Sequence, residues 1–205
     1  ISAPRVDLTK FITFAHCRPL HIFDYDKIVG KIVIRHSLDN ESFKGLDGVT
    51  YKLEKGMIVI CDDLGVISLA GIMGGDRTAC SFETKNILIE SAYFNPSKIS
   101  WAGRKLLIDS DARYRFERGI DPYSTIDGIH YASDMVKKFC GGEFSQIIGY
   151  KEPKINEKII TLNFFDFEKL IGLKIDSKFI EEKLILLGCN LDISESELKV
   201  SPPSW

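Results

Sequence analysis

The sequence predicts an α+β fold in two parts, and three observations carry that reading. Short β-branched and aromatic runs separated by Gly and Asp turns fill residues 31–94. Capped helical segments then run to Cys140, so the strands come first and the helices after. Beyond a polar, proline-containing stretch at 151–158, a smaller set of strand, helix and hairpin signals closes the chain. At 205 residues and 44% hydrophobic, with 13 phenylalanines, the chain can bury one large core and one small one without covalent staples. The expected domains are 1–152 and 153–205.

In chain order, strands are expected at 31–35, 49–53, 57–61, 66–71 and 87–94, with Leu46-Asp47-Gly48-Val49 as a hairpin turn. Asn95 followed by Pro96 reads as an N-cap with proline at the first helical position, opening a helix over 97–107. Ser110 or Asp111 caps a second short helix that ends at Gly119. Asp121-Pro122 opens a third, which runs to Cys140 and stops at Gly141-Gly142. A last strand at 144–150 is expected to return to the sheet. In the second part, a strand at 159–163, helices at 164–171 and 177–187, and a hairpin of 190–193 with 198–200 make a β-α-α-β-β module close to a winged helix.

Composition narrows the function. A formal net charge of −2 gives no overall basic footprint for non-specific nucleic-acid binding, so any RNA contact is local and DNA is not expected as a partner. The one dense basic stretch holds Arg104, Lys105, Arg113, Arg115 and Arg118, which charge pattern alone reads as a solvated helix face paired with Asp109, Asp111 and Glu117. The five cysteines are scattered without CxxC spacing, which fits isolated thiols in a reducing compartment. No apolar run approaches the roughly 20 residues that span a bilayer, and a cytoplasmic location is expected. His16 and Cys17 are adjacent rather than spaced as metal ligands, so no metal site is expected. Neither GxGxxG nor GxxxxGK[ST] occurs, so no nucleotide cradle is expected. The start at Ile1 and the stop straight after a strand-like segment read as an excerpt of a longer polypeptide.

Three local patterns are odd for a purely structural domain. Gly71, Gly74 and Gly75 follow the apolar run 66–70; they serve either tight turns or close backbone approach to a ligand by exposed N–H groups. Glu90 lies inside Ile-Leu-Ile-Glu-Ser-Ala, where alternation puts it on the face of Leu88 and Ala92. A carboxylate there costs several kcal/mol unless it is paired, so it is either half of an ion pair or the acceptor for a polar ligand. His21, in Arg-Pro-Leu-His-Ile-Phe-Asp (18–24), is either a hydrogen-bonded structural residue or a catalyst.

Taken in order, Val-Asp-Leu-Thr (6–9), Arg-Pro-Leu-His-Ile-Phe-Asp (18–24), Gly-Ile-Met-Gly-Gly (71–75), Ile-Glu-Ser-Ala-Tyr-Phe (89–94) and Arg-Tyr-Arg-Phe-Glu-Arg-Gly-Ile-Asp-Pro (113–122) resemble the B3/B4 editing domain of bacterial phenylalanyl-tRNA synthetase β subunits. The tail from about 155 is similar to the first part of the adjoining B5 domain. The resemblance implies hydrolysis of tyrosine wrongly attached to tRNA-Phe. It implies His21 and Gly74 as catalytic groups, and a substrate pocket of Thr9, Gly71, Gly75, Glu90, Ser110 and Ala112. Arg104, Lys105 and Arg113 become the RNA contacts. The implied partners are tRNA-Phe, the remaining β-subunit domains and the α subunit, in a complex of two α and two β subunits. ATP and Mg2+ serve that parent synthetase, with no cofactor in this stretch. A different reading of the same resemblance is a non-catalytic scaffold that positions tRNA and packs subunits. The chain departs from the family pattern at Arg18, where glutamine is common, and at 109–113, where Ser110 keeps the hydroxyl of a usual threonine.

Overall fold

The computed structural model describes residues 4–149, 158–194 and 197–205, and the chain divides into two compact units, 1–149 and 150–205. Both are mixed α and β, as the sequence predicts. The first opens with a helix, α1 (Pro4–His16), that strand and cap signals did not announce. Its hydroxyl at Thr13 bonds back to the Thr9 carbonyl at 2.7 Å, the local competition that keeps threonine from being a strong helix signal. Burial of Ile12 holds the helix instead.

Strand β1 (His21–Asp24) follows and pairs antiparallel with β8 (Ile87–Glu90). Between them lie β2 (Val33–His36), the hairpin β3 (Ser42–Lys44) with β4 (Thr50–Lys52), then β5 (Ile58–Asp62), β6 (Gly65–Leu69) and the short β7 (Met73–Gly74). A four-stranded sheet runs in the order β2-β5-β6-β7, antiparallel throughout. The β3–β4 turn is the expected one: Gly48 takes φ +80° and the Asp47 carboxylate accepts from the Val49 N–H at 3.0 Å.

Three helices complete the unit. In α2 (Pro96–Leu106) the Asn95 side chain accepts from the Lys98 N–H with Pro96 in the first turn; in α3 (Asp111–Phe116) the cap is Ser110, whose hydroxyl accepts from the Arg113 N–H. Helix α4 (Ser124–Cys140) ends at Gly141, φ +72°. It packs on α1, where the His16 and Tyr131 rings meet edge to face at 4.4 Å. The core gathers Phe23, Met57, Val59, Ile67, Leu69, Ile99 and Phe116, all at 3% exposure or less, each large side chain contributing roughly 1.5 to 3 kcal/mol.

Two expectations need correction. No strand forms over 144–149; Gly141 and Gly142 both take positive φ, and Phe144, Ile147 and Ile148 stay exposed, so no face of that segment is buried. Position 150 and the polar stretch to 157 fall outside the described residues. The strand expected to reach residue 94 stops at Glu90.

The second unit forms β9 (Ile160–Asn163), α5 (Phe164–Ile171), α6 (Ser177–Leu186), β10 (Asn190–Ile193) and β11 (Glu197–Ser201), with sheet order β10-β11-β9. Asn163 and Asp176 cap the two helices, and Gly172 closes α5 in the left-handed region. Ile180, Leu198 and Val200 are its buried centre.

Candidate functional site

The β1–β8 register sets His21 directly opposite Glu90, so the two side chains rise from the same face of a two-stranded ribbon. Above that face lies a pocket of about 60 Å3, walled by Pro19 and Leu20, Ser68, the loop from Gly71 to Gly74, Ala112 and Phe116. Thus a histidine, a carboxyl, glycine backbone and the start of α3 converge, although they are far apart in sequence.

Glycine is required at the loop, for three different reasons. Gly71 takes φ +69°, and an added Cβ would sit 2.8 Å from the Phe94 ring. At Gly74 a Cβ would sit 2.3 Å from His21 Cε1 and 2.7 Å from Nε2, so the imidazole edge lies against bare backbone. A Cβ at Gly75 would strike the Ile67 carbonyl oxygen at 2.6 Å, and the Gly75 N–H already donates to that oxygen at 2.8 Å. Gly75 therefore does not line the pocket, and its N–H is engaged within the fold.

The two titratable groups are pushed in opposite directions toward neutrality. Burial raises the Glu90 carboxyl from 4.5 to about 7, against the opposing pull of the Arg18 charge. Burial lowers the His21 imidazole from 6.5 to about 4. Both are half-buried because each opens onto the pocket. Among the described residues, neither the Glu90 carboxyl nor a His21 ring nitrogen takes a hydrogen bond or an ion pair within 4 Å. The His21 ring is instead fixed edge to face on Phe23, centroids 4.4 Å apart. The ion-pair explanation of Glu90 is thus not realised by any contact among the described residues.

The other predicted residues divide. Ala112 lines the pocket. Ser110 stands behind the wall, its hydroxyl donating to the Ile72 carbonyl at 2.7 Å while capping α3; it fixes the loop to the helix. Thr9 lies half-buried on α1 and is not among the pocket residues. Arg104 and Lys105 are exposed on α2, with Lys105 3.4 Å from Glu54. Arg113 is no surface contact: it donates to Glu117 at 3.0 Å and to the Ile108 carbonyl at 2.6 Å, with 14% of its side chain exposed, in a slot that Gly103 leaves open. With Arg115 paired to Asp111 and Arg118 to Glu117, the basic stretch is mostly internal pairing, as its charge pattern indicated. Sequence reasoning missed Phe116 and Ser68 as walls, since alternating apolar and small residues carry no such signal. It also missed the depth of Arg18, which is 1% exposed.

Among the described residues, no group of three His, Cys, Asp or Glu is placed to hold a metal ion, and no helix is long and apolar enough to cross a membrane.

A family model described as the B3/4 domain matches residues 2–141. The phenylalanine–tRNA ligase beta subunit of Rhodopseudomonas palustris is 44% identical over 200 residues, 98% of this chain and 25% of that protein. That of Paramagnetospirillum magneticum is 42% identical over 201 residues, with the same shares. An N-terminal fragment of the phenylalanyl-tRNA synthetase beta subunit from Pyrococcus horikoshii is a remote likeness, at TM-score 0.47 and 16% identity over 98% of this chain and 59% of that one. The chain spans about a quarter of the length of the curated relatives it matches. With more than half of its residues under the family model, the chain belongs to the B3/4 domain family, in the form carried by phenylalanine–tRNA ligase beta subunits.

Proposed function

We propose that this chain is the editing part of such a beta subunit and hydrolyses tyrosine wrongly esterified to tRNA-Phe. The observation that carries this reading is Glu90: a carboxyl held in a pocket with no hydrogen-bond or ion-pair partner among the described residues. A synthetic site shaped for an apolar ring rejects an added hydroxyl only weakly, so a second site that reads the hydroxyl is needed. Glu90 accepts the phenol proton of tyrosine; phenylalanine would bury the same carboxyl with nothing to bind.

In the reaction, water adds to the ester carbonyl, the bond to the ribose oxygen breaks, and the water's proton ends on the released ribose hydroxyl. His21 is neutral at physiological pH and too weak a base to hold that proton for long. It orients the water by accepting its hydrogen bond, together with a ribose hydroxyl of the terminal adenosine. The backbone at 71–74 is the surface against which the developing oxyanion is stabilised. The hydrolysis routes no step through ATP or Mg2+, which on this reading belong to the synthetic site of the α subunit. The exposed pair Arg104 and Lys105 is the candidate phosphate contact for tRNA; Arg113 is not. The partners are tRNA-Phe, the α subunit in a complex of two α and two β subunits, and the remaining β domains, in the cytoplasm.

The direct test is deacylation: the chain is expected to hydrolyse Tyr-tRNA-Phe and leave Phe-tRNA-Phe largely intact. Equal hydrolysis of both, or of neither, overturns the reading. Ala112→Trp is expected to stop deacylation, because the indole projects into the pocket from the start of α3, with the melting temperature within a few degrees of the parent. An unfolded variant would mean that Ala112 is core packing alone. In Gly74→Ala the new methyl displaces the imidazole, and a misplacement on the order of 1 Å costs roughly 100-fold in rate. An unchanged rate would remove His21 from the reaction.

A further inference from the structure

Arg18 is the largest fully buried side chain among the described residues, and what holds it is unusual. A buried guanidinium ordinarily meets a carboxylate, because an unpaired internal charge is costly. Here the partners are neutral oxygens: one terminal nitrogen donates to the Ala92 carbonyl, two residues past the end of β8, the other to the Ser124 hydroxyl at the start of α4, at 3.3 Å. Its Nε is buried with no partner among the described residues. The space comes from Gly128 on α4, where a Cβ would sit 2.9 Å from Arg18 Cγ. The acids that feel the charge are Glu90 and Asp121, and no carboxylate forms an ion pair with it within 4 Å among the described residues. The charge is therefore desolvated, fixed in place by β8 and α4, and not neutralised by contact.

We propose that Arg18 is a positioning residue of the pocket, a fixed cation behind Glu90 that keeps this carboxyl a charged acceptor for the ligand's hydroxyl while itself touching no ligand. It rests on the reading of Glu90 as that acceptor. Placement supports it: Arg18 precedes Pro19 and Leu20, which wall the pocket, and its anchor Ala92 lies two residues beyond Glu90 on the same chain. So the cation and the carboxyl are set by the same strand pair. Arginine suits the task because its charge survives burial more fully than a lysine's; even desolvated, Arg18 falls only to about 10. The remaining groups around Glu90 do not substitute for it. His21 opposite is held neutral by burial, the loop at 71–74 and the walls Ala112 and Phe116 carry no charge, and on α3 Arg113 and Arg115 are turned to Glu117 and Asp111. Asp121 is the other acid whose charge acts on the guanidinium.

The test is the titration of the Glu90 carboxyl, followed by NMR in the full chain labelled with 13C at glutamate carboxyls and assigned by the resonance missing from Glu90→Gln. In Arg18→Gln the Glu90 midpoint is expected to move to higher pH by about one pH unit. The rising limb of Tyr-tRNA-Phe deacylation should move with it, so that the rate falls about 5-fold at pH 7 and recovers at pH 9. In Arg18→Lys the charge is partly kept and the displacement should be smaller. Arg18→Met, which fills the slot beside Gly128 without a charge, should move the midpoint as Arg18→Gln does, and it serves alone if Arg18→Gln fails to fold. A midpoint unchanged in folded Arg18→Gln, or in Arg18→Met where that is the variant that folds, overturns the proposal; a rate lowered equally at every pH with the midpoint in place makes Arg18 a packing residue. If the midpoint moves as expected while no form of the chain deacylates Tyr-tRNA-Phe, the coupling stands and the editing reading falls.

Discussion

Glu90→Ala is expected to cost about 10- to 100-fold in the preference for Tyr-tRNA-Phe over Phe-tRNA-Phe, with no loss of stability at pH 8. The first number follows from the chemistry of the contact. A hydrogen bond to a charged, desolvated acceptor is worth roughly 1.5 to 3 kcal/mol, and about 1.4 kcal/mol is tenfold in binding. The second follows from the pocket itself, where the carboxyl has no hydrogen-bond or ion-pair partner among the described residues and burial opposes its charge. Removing it relieves a cost. A structural ion pair predicts the reverse, a loss of roughly 3 to 5 kcal/mol on breaking it. Urea unfolding and deacylation measured on one sample separate the two. A sharply lowered unfolding midpoint with discrimination per folded molecule preserved would leave Glu90 as scaffold.

Which parts of this site could be read from the sequence follows from the range of the interactions involved. Glu90 was legible because a carboxyl in Ile-Leu-Ile-Glu violates the strand's own alternation, a conflict contained in four residues. Caps at Asn95 and Ser110 and the Gly48 turn were legible for the same reason, since each side chain bonds to backbone two or three residues on. The meeting of His21 with Glu90 was not: it depends on the register of β1 with β8, with most of the unit's sheet strands between them in the chain. The glycines were recognised as points of close approach, but the approaching atoms are the protein's own, the His21 ring at Gly74 and the Ile67 carbonyl at Gly75. For Arg113, Gly103 on the neighbouring helix gives the side chain a slot that no local pattern announces. The strand expected at 144–150 rested on its apolar residues alone, and nothing in the described structure covers Ile147 and Ile148.

The opposed displacements of His21 and Glu90 predict a stability profile in which each conceals the other. Glu90 titrates at about 7 in the folded protein against 4.5 ordinarily, so the folded state holds its proton more tightly than the unfolded chain. Its contribution is fully present below pH 4.5 and is lost as pH rises through 7, a total of about 3 kcal/mol at about 1.4 kcal/mol per pH unit. His21 titrates at about 4 against 6.5, so it is the unfolded chain that binds the proton first. Its contribution is present above pH 6.5 and lost as pH falls through 4, again about 3 kcal/mol in total. Between pH 4.5 and 6.5 the two slopes cancel in the parent protein. Asp24, Glu41 and Asp62, whose carboxyls are held low by their hydrogen bonds and ion pairs, add an acid-side loss common to every variant, so differences from the parent are the quantity to read. Relative to the parent, Glu90→Gln should gain about 3 kcal/mol between pH 4 and pH 8, and His21→Gln should lose about as much over the same interval. Urea unfolding at half-unit steps across that range measures both. Parallel profiles for the two variants and the parent would mean that neither group is desolvated in the folded protein, and the pocket would then be too wet for Glu90 to discriminate a hydroxyl.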